Sequence, residues 1–153
     1  MTINAQFVTT EGKLSSEWKK DEQFHIFAKT VVNNQSMDLV FLSGYAVPTG
    51  WVVNANEWLR DTLVFKFDDI RWNKDVDVRV VPLVTPATFS NTDTKETDIV
   101  GWGVDYTTYE LRPGPAATQF KTIWMISNLA ICGMETFLNR VAYSVVAIGK
   151  LTK

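Results

Sequence analysis

The sequence predicts an all-β protein: an antiparallel β-sandwich or jelly-roll-like barrel with at most one or two short helices. Three observations lead there. β-branched and aromatic residues recur in runs of about six to ten. Asn, Asp, Gly and Pro punctuate those runs. Nine Phe, six Trp and four Tyr supply the bulky side chains that an interface between sheets needs.

The run QFHIFAKTVV (23–32) places Phe24, Ile26 and Ala28 on one face and His25, Phe27 and Lys29 on the other. MDLVFLSGYAV (37–47) follows, and the NNQS between them reads as a hairpin turn because Asn tolerates positive φ. DTLVFKFDD (61–69) alternates more cleanly, with Leu63, Phe65 and Phe67 opposed to Val64, Lys66 and Asp68, the pattern of a half-buried strand. After the turn residues Asn73, Lys74 and Asp75 comes VDVRVVPLV (76–84). These two runs read as a second hairpin, ended by Pro82 and Pro86 because proline has no N–H for a ladder.

Residues 87–98 are polar without period and read as an exposed loop. IVGWGVDYTTYEL (99–111) returns to strand composition, with Gly101 and Gly103 expected to bend or bulge it. RPGPAAT (112–118) is a turn or short arm, QFKTIWMIS (119–127) a strand, and VAYSVVAIG (141–149) the closing strand. Residues 15–24 carry Ser15 and Ser16 as helix caps before good helix formers, so residues 1–22 are expected to be an N-terminal arm or short helix. GMETFLNR (133–140) suits either a helical turn or a hairpin arm. With no repeat, low-complexity tract or linker, residues 1–153 form a single β domain.

A chain of 153 residues can bury roughly 70% of its unfolded surface without staples. Fifteen basic and 17 acidic residues are mixed along it for a net charge of −2, which leaves no basic footprint for nucleic acid. Cys132 is the single cysteine, so an internal disulfide and a cysteine zinc cluster are excluded, and a small buried hydrophobe is expected there. The N-terminus has neither the basic stretch nor the apolar run of a secretory signal, and no stretch approaches about 18 apolar residues. The expectation is a protein made soluble in the cytoplasm, without a membrane span, and open to incorporation into a virion.

Catalytic chemistry needs a nucleophile with a base, facing carboxylates or grouped metal ligands. His25 is the one histidine and lies in an apolar-aromatic run, so a structural or surface imidazole is expected and multi-histidine metal sites are excluded. Asp68, Asp69, Asp75 and Asp77 cluster, but Arg71, Lys74 and Arg79 neutralise them and the glycine and terminal glutamate of an EF-hand loop are absent. Solvated turn charge is the expectation there, with a cation as the open alternative. Glu57, Asp61, Asp105 and Glu110 carry no spacing that specifies glycoside hydrolysis. GWGVDY lacks the third glycine of a dinucleotide fingerprint. No enzyme, cofactor or resident metal is predicted.

Aromatic residues in polar company are more informative. Trp51 and Trp58 stand among Asn54, Asn56, Glu57 and Asp61, and Trp102, Tyr106 and Tyr109 stand beside Asp105 and Arg112. Such mixtures serve core packing with a polar rim, a protein interface, or a sugar groove in which rings stack on CH faces.

The closing strand decides between functions. Val141, Tyr143, Val145 and Ala147 form one row and Ala142, Ser144, Val146 and Ile148 the other, so both faces call for cover. A two-layer monomer covers one, so the other lies under a loop or the N-terminal helix of the same chain or under another subunit. TIWMISNLAIC (122–132) has the same two-sided character, and two such segments exceed what one short helix can shield. The sequence therefore predicts a non-enzymatic structural or interaction protein: a homo-oligomer or a subunit of a larger particle, with a virus or bacteriophage capsid, decoration or tail as the setting by fold-level analogy. The alternative is a lectin-like module that binds glycan through the aromatic groups above, and a hydrolase comes third.

Overall fold

The computed structural model describes residues 6–9, 13, 15, 17–49, 52–53, 57–91, 99–115, 118–133 and 136–152. Every element among them is a strand: β1 (Gln6–Val8), β2 (Trp18–Val32), β3 (Gln35–Pro48), β4 (Val52–Val53), β5 (Glu57–Lys66), β6 (Trp72–Asn73), β7 (Arg79–Asn91), β8 (Ile99–Pro113), β9 (Phe120–Gly133) and β10 (Thr136–Gly149). The first sheet runs β1, β5, β9, β8, with β6 continuing the line of β5 along the start of β9. The second runs β2, β3, β10, β7, with β4 beside the start of β10. All pairings are antiparallel, and the two sheets pack as a sandwich; the barrel is not closed.

The last two strands of the chain are thus central ones. β9 lies between β5 and β8, and β10 between β3 and β7. Their inner rows meet in the core: Ile123, Met125 and Leu129 from β9, and Val141, Tyr143, Val145 and Ala147 from β10, are all buried. Tyr143 stacks at 4.8 Å on Phe65 of β5, and Phe65 meets Phe7 of β1 edge-on at 5.0 Å. The Tyr143 hydroxyl donates to Gln23 Oε1 at 3.1 Å, and burial pushes this phenol well above the ordinary tyrosine range.

Two local features shape the second sheet. Asn33 and Asn34 both take positive φ, 50° and 63°, and close β2 to β3 through a two-residue turn of the primed kind, whose twist matches that of the strands. Further along, an extra residue on β2 bulges the ladder between Lys20 and Gln23. The Glu22 carbonyl then comes so close to Gly44 that a Cβ there would sit 2.2 Å from it and 2.7 Å from the Tyr143 hydroxyl.

Several expectations are corrected. Residues 18–22 begin β2 instead of a helix, because Trp18 is buried opposite Pro48 and pairing with β3 outweighs local helix propensity. The runs 61–69 and 76–84 are no hairpin: β5 belongs to the first sheet and β7 to the second. Pro82 and Pro86 do not end β7, which passes through both since an edge strand has one side that needs no donor. For the same reason 87–91 are strand, and the remainder of the expected loop, 92–98, lies outside the described residues. From Thr136 onward the segment 133–140 is the arm of β10.

Candidate interaction surface

Alternation along each strand gives each sheet an inner row and an outer row, and the two outer faces differ in chemistry. On the first sheet the outer row of β9, Trp124, Ile126 and Asn128, lies between Lys66, Val64 and Thr62 of β5 and Glu110, Thr108 and Tyr106 of β8. Hydrogen bonds and ion pairs hold this face. Thr62 Oγ1 donates to Asn128 Oδ1 at 2.6 Å, Lys66 pairs with Asp68 at 2.8 Å, and Arg112 donates through Nε and Nη2 to Glu110 Oε2, both at 2.9 Å.

On the second sheet the register aligns rows of another kind. Ile26 of β2, Phe41 of β3, Val146 of β10 and Val81 of β7 stand side by side across all four strands. The next row is Phe24, Ser43, Ser144 and Leu83, and on the other side lie Ala28, Leu39 and Ile148. Ser43 Oγ turns back to donate to the Tyr143 carbonyl at 3.3 Å, which satisfies that hydroxyl within the sheet. Charge is confined to its ends: Arg140 lies 5.1 Å over the Tyr45 ring and pairs with Asp21 at 3.0 Å, and Arg79 stands beyond Ile148.

No described strand covers these rows, because all ten strands belong to the two sheets and the first sheet occupies the inner side. The central residues are half-buried by their neighbours, whereas those on the flanking strands stand in water: Phe24 is 53% exposed, Ile26 56%, Val81 64% and Leu83 58%. These four leave about 100 Å² each, and with the rows between them the face presents on the order of 700 Å². The largest apolar patch on a typical monomer is about 300–600 Å², and a stable pairing covers about 800 Å² per partner.

The residues singled out from sequence do not converge. Trp58 is 52% exposed on the outer row of β5, with the Arg60 guanidinium 5.6 Å from its ring. Tyr106 is exposed on the outer row of β8 opposite Asn128, but Tyr109 is on the inner row opposite Met125, since three residues along a strand reverse the face. Arg112 stacks 3.6 Å over Trp124, in a cleft of about 370 Å³ that also holds Arg71 stacked 4.7 Å over Phe120. Trp51 and the side chain of Trp102 lie outside the described residues, as do the side chains of Glu57, Asp105 and Cys132.

Among the described residues, two carboxyl groups have pKa values moved from the ordinary range. Hydrogen bonding to Asp61, the charge of Asp61 and slight burial raise the Glu17 carboxyl above its ordinary value, a pairing not visible in a one-dimensional list of acids. Asp38, on the inner row of β3, is buried, which opposes its ionisation. The Lys29 ammonium, the Leu151 N–H donating to Oδ2 at 2.8 Å, and the charge of Lys150 outweigh that and hold it below the ordinary range. This carboxylate therefore ties the end of the chain to the β2–β3 hairpin. No group of three or more potential metal ligands occurs among the described residues, and no helix there is long and apolar enough to cross a membrane.

No protein-family model, curated protein or solved structure matches the chain.

Proposed function

We propose that the protein is a non-enzymatic assembly module that works by burying the outer face of its second sheet against a neighbouring subunit. The observation that carries this reading is the uncovered apolar band from Ile26 through Phe41 and Val146 to Val81. About 700 Å² at about 25 cal/mol per Å² is a gross gain of roughly 17 kcal/mol. Association costs about 4–15 kcal/mol and area alone does not set affinity, so this gross gain is of the size a subunit contact needs. A particle of repeated subunits, such as a virus or bacteriophage shell, is the proposed setting by analogy of fold. Sedimentation of the purified protein at micromolar concentration tests the reading. It predicts an oligomer whose mass Leu83→Lys lowers with the fold intact, and a wild-type monomer that adds to no assembly would end it.

A second reading, glycan binding, draws on the first sheet. Trp58 offers an exposed ring, and Tyr106 shares its face with the hydroxyl and amide of Thr62 and Asn128. Tryptophan fluorescence titration with glycans tests it, with Trp58→Ala as the variant that should lose any response.

A further inference from the structure

We infer that β2 is a second, separate assembly element, whose free edge over residues 23–31 pairs antiparallel with the same edge of another copy of this chain. The argument is one of hydrogen-bond register. The two-residue Asn33–Asn34 turn makes Val32 and Gln35 its closing hydrogen-bonded pair. Pairs then alternate along an antiparallel ladder, so Thr30, Ala28, Ile26 and Phe24 exchange their backbone bonds with β3. His25, Phe27, Lys29 and Val31 are left with N–H and C=O groups directed away from the sheet, and no described strand pairs with that side of β2.

Such an edge is a template for pairing unless it is blunted, and the other long edges among the described residues are blunted, that of β5 by β1 over Val64–Lys66 and by Glu57, Arg60 and Asp61 before it. β7 carries Pro82 and Pro86. β8 has a register shift between Val104 and Tyr106, the ion-paired Glu110 and Arg112, and Pro113. β2 itself is protected at its start by the bulge and the charged residues 19–22. From 23 to 31 it has no proline, no bulge and one charge, Lys29, which Asp38 of the same chain already holds.

The stretch is also apolar on both sides. Phe24 and Ile26 project from the outer face, and on the inner side Phe27 and Val31 remain 37% and 69% exposed, beyond the reach of the short β1. A partner strand must therefore be largely apolar front and back and set no second cation opposite Lys29, and residues 23–31 of a second copy meet that description. A two-fold axis at Ala28 sets His25 opposite Val31 and Phe27 opposite Lys29, with no like charges opposed. Such a contact joins two four-strand layers edge to edge and leaves the outer face free for its own contact. Two independent two-fold contacts per chain build tetramers or larger closed assemblies.

Proline substitution separates the edge from the face. Phe27→Pro removes an N–H that β3 does not use, so the fold should survive while the edge contact weakens at least about tenfold in dissociation constant. Phe27→Ala keeps the donor and should weaken it less, and Ile26→Pro should disrupt the hairpin itself. Leu83→Lys, on the far edge of the outer face, should leave a dimer held by β2 alone, and the double variant should sediment as a monomer. Hydrogen exchange on the wild-type protein gives a readout free of folding effects: the amides of His25, Phe27, Lys29 and Val31 should gain protection as concentration rises. Unchanged assembly mass in folded Phe27→Pro, or fast exchange at all four amides in the intact oligomer, would overturn the inference and leave the face contact standing. Protection that needs a different protein to be added would overturn the choice of a second copy.

Discussion

The two outer faces of this sandwich are made by the same alternation, yet one interleaves apolar with charged and hydrogen-bonding residues and the other is almost wholly apolar between its ends. Both sheets put comparable residues inward: Phe65 and Met125 from the first meet Tyr143 and Val145 from the second. Outward, the first sheet mixes Val64, Trp124, Ile126, Trp58 and Tyr106 with Lys66, Thr62, Asn128, Thr108 and Glu110, whereas the second presents Ile26, Leu39, Phe41, Val146 and Leu83 with charge only at its ends. An antiparallel sheet needs only one apolar face to fold. The grease on the second outer face is therefore not explained by the stability of the monomer, which makes it evidence about what the molecule touches.

The sharpest way to break this comparison uses neighbouring residues of one strand. Val145→Asp buries a carboxylate in the core and should unfold the domain, with several kcal/mol lost. Val146→Asp, one residue on but facing outward, should keep the circular dichroism spectrum and melting cooperativity while removing the face contact, so that a sizing column shows no more than the dimer held by β2. If both unfold, the outer row is structural and the contrast between rows fails. Next in size, Gly44→Ala should destabilise by about 1–3 kcal/mol in urea titration, since its methyl meets the backbone of the β2 bulge. The same change at Gly103, where a Cβ meets nothing within 4 Å, should leave the core packing undisturbed.

A smaller effect comes from acid. The Asp38 carboxyl is held below its unfolded value, so its contribution is complete above about pH 4 and is lost as pH falls through the depressed folded value. Asp38→Asn should therefore be less stable than wild type at neutral pH, with the gap closing below about pH 4 in parallel thermal melts. Smallest of all, Thr108→Lys on the first outer face should change neither stability nor sedimentation, whereas Leu83→Lys on the second should reduce the assembly to the dimer held by β2. Equal effects of these two lysines would remove the distinction between the faces.

Much of this contrast can be read without coordinates, but not all of it. The two apolar rows of 141–148 are plain in the sequence, as is the Asn33–Asn34 turn, because both depend on residues adjacent in the chain. The misreadings share one cause. Residues 18–22 look helical, Pro82 and Pro86 look terminal, and 61–84 looks like a hairpin whenever local propensity is taken without knowing what lies alongside. Pairing partners supplied the missing information: β3 for 18–22, an open edge for the prolines, and separate sheets for the supposed hairpin. The candidate aromatic group fell apart similarly, since Tyr106 and Tyr109 are neighbours in sequence but project to opposite sides of β8.

By itself, then, the sequence determined the class of fold, the first hairpin and the two-sided apolar character of the last strand, since each follows from the period of side chains along a single run. Only the tertiary structure decided that β10 lies at the centre of its sheet, that its second row lines up with apolar rows from β2, β3 and β7, and that nothing described covers them. The reason is physical: alternation fixes which residues share a face, but the pairing of distant strands decides which faces join into one surface.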